Sequence, residues 1–195
     1  MAEVIVETKE LKRVAVELSA FPKVAPKAMS AALNRTIATV KTDMRREAVA
    51  AYEVKSADVA KSLSVKKASP SRLTASAISA GRPIALIHFK VKPRKPPSKR
   101  TAKQVMVKIK KSEGYTTIGT KPSAFVQDVN GAVNVFKRIG AKRLPIKRLY
   151  SLSVPQMISN EEVINRITEK AHETLDKRVT HEINYRLKKI KGGNE

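Results

Sequence analysis

The sequence predicts an α+β fold: N-terminal helices, then a mostly antiparallel sheet with a long basic β-arm, then a long C-terminal helix that closes the chain. Three observations carry this. Apolar residues recur at helical spacing between 26 and 51, and every four residues between 163 and 187. Between them, from 65 to 158, the pattern is extended, with period-2 alternation and turn signals. No repeat or clean linker divides the chain. One domain is therefore expected over 1–195, with a helical part at 1–64, a β part at 65–158 carrying the arm at 87–111, and a closing helix at 159–191.

Val4 to Val6 read as a short strand or a ragged start. Helix propensity then rises through 9–19, with Leu11, Val14 and Leu18 on one face, and Phe21-Pro22 ends it. The clearest helix follows. Met29, Leu33, Ile37, Val40, Met44, Ala48 and Ala51 step by 4, 4, 3, 4, 4, 3, close to the 3.6 period of an amphipathic helix. Pro26 suits its first turn. Ser56 is expected to cap a short helix through Leu63, with Asp58 near its positive end. Weak alternation at 73–80 and the Gly81-Arg82-Pro83 turn lead into the arm.

In the arm, Ile87, Phe89 and Val91 alternate with His88, Lys90 and Lys92, while Val105, Val107 and Ile109 alternate with Met106, Lys108 and Lys110. Two half-buried strands are expected, joined by a tip, 93–98, that proline keeps out of a sheet. Like charges facing each other across such a pair are destabilising. Nothing nearby in sequence offsets them, so an external anion is expected to. Beyond the arm, 115–118, 124–129 and 132–138 read as strands. Asn130-Gly131 predicts a type I′ hairpin, whose two central residues need positive φ. A basic stretch, 140–148, leads to 149–154. Ser159 and Glu162 match a capping box for the last helix.

The last helix carries Val163, Ile167, Ala171, Leu175, Val179, Ile183 and Leu187. At about 100° per residue, each step of four overshoots a turn by roughly 40°. The stripe drifts, and one flat sheet cannot cover it. Either the helix curves or its halves face different neighbours. The second reading is preferred, with another subunit as one neighbour.

The net charge is +23, and its placement is uneven. Residues 59–160 hold 22 Lys or Arg and two acids, Glu113 and Asp128, a net of +20, while 1–58 and 161–195 come to +2 and +1. From Lys90 to Lys111 there are ten basic residues and no acid. A field of one sign attracts polyanions; a solubilising surface is the plainer alternative. Absent cysteine excludes disulfides and cysteine-ligated zinc. No apolar run reaches the roughly 20 residues of a membrane span. The N-terminus lacks a signal peptide's pattern, so an intracellular, unprocessed chain is expected.

Catalytic chemistry finds little support. His88, His172 and His181 are scattered, the last two about 13 Å apart along one helix, and nucleotide-loop, hydrolase and zinc-protease motifs are missing. No catalytic residue, metal or cofactor is expected. The interleaved aromatics of single-strand binders are missing too, so contact with phosphate backbone, without base readout, is expected of any nucleic-acid role. An acidic protein surface would serve equally.

The segment 133–158, VNVFKRIGAKRLPIKRLYSLSVPQMI, carries a resemblance. An aromatic and basic strand (Phe136-Lys137-Arg138) leads through Gly140 and Lys142-Arg143 to Leu144-Pro145-Ile146, then Val154-Pro155, then a long helix. With Ala32-Leu33-Asn34-Arg35, the strand 83–89 and Ala124-Phe125-Val126, this order resembles the minor tail protein Z family of long-tailed phages, the lambda-type tail completion proteins, over about 10–190. The resemblance implies a structural virion protein of the neck or upper tail, assembled in the bacterial cytoplasm. It would complete the tail for head–tail joining and help place the DNA end. A phage tail's symmetry implies a hexameric ring, touching tail terminator, tail tube or connector proteins and the genomic DNA backbone, with no membrane.

The residues expected to meet DNA or an acidic partner are Lys90, Lys92, Lys108 and Lys110 on the arm's strands, Arg94, Lys95, Lys99 and Arg100 at its tip, and Arg138, Lys142 and Arg143. The expected subunit interface comprises Asn34, Arg35, Leu175, Val179, Ile183 and Leu187; helix-surface packing explains the first two as well. The rival readings are a free-standing cellular DNA-binding protein, which belongs in the nucleoid and not in virions, and a ribosome-associated basic protein.

Overall fold

The helix anticipated from the 26–51 periodicity is α1, Ala25–Ala51, in the computed structural model of the chain. The structure describes residues 1–6, 16–17, 19, 23–97, 104–119 and 123–191. The helix expected through 9–19 falls almost entirely outside the described residues. Pro26 occupies the first turn of α1, and Met29, Leu33, Ile37, Val40, Met44 and Ala48 are buried as the stripe requires. Ala28, Ala32, Thr36 and Glu47, off that stripe, are buried as well. The helix is covered on more than one side, by a long C-terminal helix and by a sheet.

That sheet consists of β1 (Ala2–Val6), β2 (Leu63–Lys66) and β3 (Ala75–Ser79), in the antiparallel order β1-β3-β2. The N-terminal residues are thus a paired strand. All five residues of β3 are buried. Its weak alternation in sequence follows from this: a central strand covered on both faces can be small and apolar throughout, and Ala and Ser serve on either side. The short helix α2 (Ser56–Lys61) corrects an expected boundary. Lys55 is its N-cap, without a side-chain hydrogen bond, and Leu63 already belongs to β2.

The segment expected as a long arm contains short strands whose apolar residues pack into the main core. A 3₁₀ turn at Leu86–His88 replaces the start of the expected strand, so Leu86 is buried there. Then β4 (Lys90–Lys92), β5 (Met106–Lys108) and β6 (Thr116–Thr117) form a second antiparallel sheet. Phe89, Val91, Val105 and Val107 enter the same core as α1. Past β5 the chain is fastened to the end of α1: Glu53 N–H donates to the Ile109 carbonyl and Lys111 N–H to the Ala51 carbonyl, both at 2.8 Å. Residues 98–103 of the tip lie outside the described residues.

The third sheet is β7 (Ala124–Val129), β8 (Ala132–Arg138) and β9 (Ile146–Arg148). Asn130 and Gly131 have φ of 53° and 78°, the two positive values that the expected hairpin turn demands. Beyond β9, Ser151 N–H donates to the Ile84 carbonyl and Leu86 N–H to that of Leu149, which ties this sheet to the foot of the arm.

The chain closes with α3 (Val154–Ile158) and α4 (Glu161–Lys191). The capping box lies at Ser153 and Gln156, where it caps α3. Ser159, expected to begin a box of its own, is the C-cap of α3. Both Ser-x-x-Gln and Ser-x-x-Glu fit the pattern, and the box present is the first of the two. On α4, Val163, Ile167, Ala171, Leu175, Val179 and Ile183 are all at most 4% exposed. They face α1, with β1 and α3 also in contact with this helix. A rod with flanking elements can follow a tilted stripe where a flat sheet cannot. The drift therefore needs no second subunit, a correction to the preferred sequence reading.

Candidate anionic-partner surface

Across β4 and β5 the register sets Lys90 opposite Lys108, the like-charge pairing anticipated from the alternation. The chain itself supplies the counter-charge. Glu53, just beyond α1, places Oε1 3.0 Å from Lys90 Nζ and 3.9 Å from Lys108 Nζ. An external anion is not required to relieve this pair, which corrects that inference. Glu53 could not be found from local sequence, because only the fastening of β5 to the end of α1 delivers it.

The other two strand lysines also have partners. Lys110 Nζ lies 3.0 Å from Glu113 Oε1, and that hydrogen bond raises the lysine's pKa above its ordinary value. Lys92 Nζ sits 4.3 Å from the centre of the Tyr115 ring, a cation–π contact. Beside the arm, Asp58 Oδ2 and His88 Nδ1 are 3.0 Å apart. At the tip, Arg94 and Lys95 are exposed. Lys99 and Arg100 lie outside the described residues.

The second basic region is the β8–β9 hairpin. Its neck is closed by Ile139 N–H donating to the Pro145 carbonyl at 3.2 Å, next to the Arg138–Ile146 pair. Arg138 holds its guanidinium 5.2 Å from the centre of the Phe125 ring, and Phe125 in turn stacks at a tilt on Phe136. Lys142 and Arg143 are exposed in the loop. Lys147 and Arg148, which the candidate set omits, are exposed on β9, with Lys147 directly opposite Lys137. Alternation across Ile146-Lys147-Arg148 was too short a signal to mark them. No acid among the described residues forms an ion pair with Lys142, Arg143, Lys147 or Arg148.

The residues read as a subunit interface are engaged inside the chain. Asn34 clamps the backbone of Ala68: its Nδ2 donates to the carbonyl at 2.9 Å, and its Oδ1 accepts the Ala68 N–H at 2.8 Å. Arg35 Nη1 is 2.6 Å from Glu182 Oε1 on α4, an ion pair between the two long helices. Leu175, Val179 and Ile183 are buried against the chain's own core, and Leu187 is partly buried beside it. The interface reading for the three fully buried side chains is corrected by that packing. A second polar link joins the helices at their other ends, where Glu47 accepts from Arg166 Nε at 2.8 Å and from Lys170 Nζ. Lys170 foremost, with Arg166, lowers the Glu47 carboxyl's pKa below its ordinary value, against the opposing effect of burial.

Among the described residues no three His, Asp or Glu side chains converge as metal ligands, and no helix is long and apolar enough to cross a membrane. The molecule is thus an α+β protein with exposed cations on its helices as well as on its β sheets and loops. The chain belongs to the prophage minor tail protein Z family, whose model matches residues 8–191. It is accordingly a phage minor tail protein, a structural component of the tail. No curated protein and no solved structure matches the chain.

Proposed function

We propose that this protein is a subunit of the head-proximal end of the tail, the neck, where it completes the tail for head–tail joining. It assembles there as a ring, sixfold in keeping with the tail's symmetry, against terminator, tube or connector proteins. The observation that supports this most is the placement of charge. Residues 59–160 carry +20 between flanks of +2 and +1, and their exposed cations include Arg94 and Lys95 at the arm's tip and Arg138, Lys142, Arg143, Lys147 and Arg148 on the β8–β9 hairpin. A ring around a DNA-carrying channel needs phosphate-compatible charge without base readout. In this reading Arg94 and Lys95, with Lys99 and Arg100, face the DNA end, and catalysis plays no part.

Electron microscopy of particles made after deletion of the gene from its prophage tests this. Free DNA-filled heads beside full-length tails, or joined particles that fail to infect, are the expected result. Normal infectious particles overturn the neck assignment.

A further inference from the structure

The β8–β9 hairpin exposes two large aliphatic side chains, Ile139 and Leu144, each 65% exposed. Both belong to the one loop whose neck is closed by the Ile139–Pro145 backbone hydrogen bond. Around them stand Lys142 and Arg143, and no acid occurs anywhere from 129 to 160. The hairpin is braced from behind, since Arg138 lies on Phe125 and Phe125 against Phe136.

We infer that this hairpin is a docking element that inserts Ile139 and Leu144 into an apolar recess of a neighbouring virion protein, with acidic residues at the rim of that recess meeting Lys142 and Arg143. The inference rests on the reading of the chain as a virion subunit and names the partner chemistry of one part of its basic surface. Charge complementarity selects the occupant. A surface aimed at phosphate gains nothing from two exposed aliphatics, whereas protein interfaces combine an apolar centre with a polar rim. A partner of opposite charge fits this hairpin better than a second copy of this chain, which carries +23; the contacts between copies in the ring are left to other faces.

The test uses the full chain in cells that are producing phage, with Leu144 replaced by a photo-crosslinking residue. Irradiation of assembled particles is expected to give an adduct to a different virion protein. In parallel, the double variant Ile139→Ser, Leu144→Ser is expected to keep the parent's circular dichroism and melting curve while infectious yield falls at least tenfold. An adduct to DNA, an adduct to a second copy of this chain, no adduct, or full infectivity of the double variant overturns the inference. Failure here is separable from failure of the neck assignment. Particles that need the gene for joining but give no hairpin adduct reject only the docking element, and normal particles without the gene reject the neck assignment.

Discussion

At the scale of single residues, two carboxylates hold together parts of the chain that are far apart in sequence. Glu47, buried on α1, receives Arg166 and Lys170 of α4. Its pKa is lowered in the folded protein, so it adds stability that is fully present above the unfolded carboxylate's range and is lost as pH falls through the lower folded value. Glu47→Gln is expected to cost about 1–3 kcal/mol near neutral pH. Urea unfolding from pH 7 down to pH 3 should show the gap from the parent narrowing as the carboxylate is protonated; a gap independent of pH would refute this. Glu53 has a different task, as it stands between Lys90 and Lys108. Lys90 is well exposed, so Glu53→Gln is expected to cost only about 1 kcal/mol. The same change frees two cations on the arm. Affinity for a random DNA duplex should therefore rise at low salt, and a fall would show that the pair is needed to shape the surface.

At the scale of elements, α1 and α4 form the spine, antiparallel, with Arg35–Glu182 near one end and Glu47–Arg166 near the other. Leu175 is fully buried between these links. Leu175→Ala is expected to destabilise the chain by about 2–5 kcal/mol, the range for a leucine truncated in a packed core. Chemical denaturation measures it, and a loss below about 1 kcal/mol would mean the side chain is not packed as described. Both long helices were legible because amphipathic periodicity survives over many turns. The Asn130-Gly131 hairpin was legible because few residues accept two positive φ values in succession. The starts of short elements were less so. Ser56 and Ser159 are good capping residues by type, but neighbouring backbone hydrogen bonds decided that one is the first residue of α2 and the other the end of α3.

At the scale of the whole molecule, the charge is divided between cations that are paired within the chain and cations left to solvent. The four strand lysines are engaged by Glu53, Glu113 and Tyr115, while Arg94 and Lys95 are exposed. Changing Arg94, Lys95, Lys99 and Arg100 together to Gln is expected to lower the slope of log affinity for duplex DNA against log salt by about 0.9 for each phosphate contact removed. An unchanged slope would exclude the tip from phosphate contact. The sequence by itself determined the α+β class, the two long helices, the concentration of charge in 59–160 and the family likeness, since each rests on periodicity, composition or residue order along the chain. Only the tertiary structure decided which of those charges are available. Glu53 reaches Lys90 and Lys108, Asn34 reaches Ala68, and α1 covers the drifting stripe of α4. Each of those contacts joins residues that are close only after the chain has folded, and no local pattern records a long-range contact.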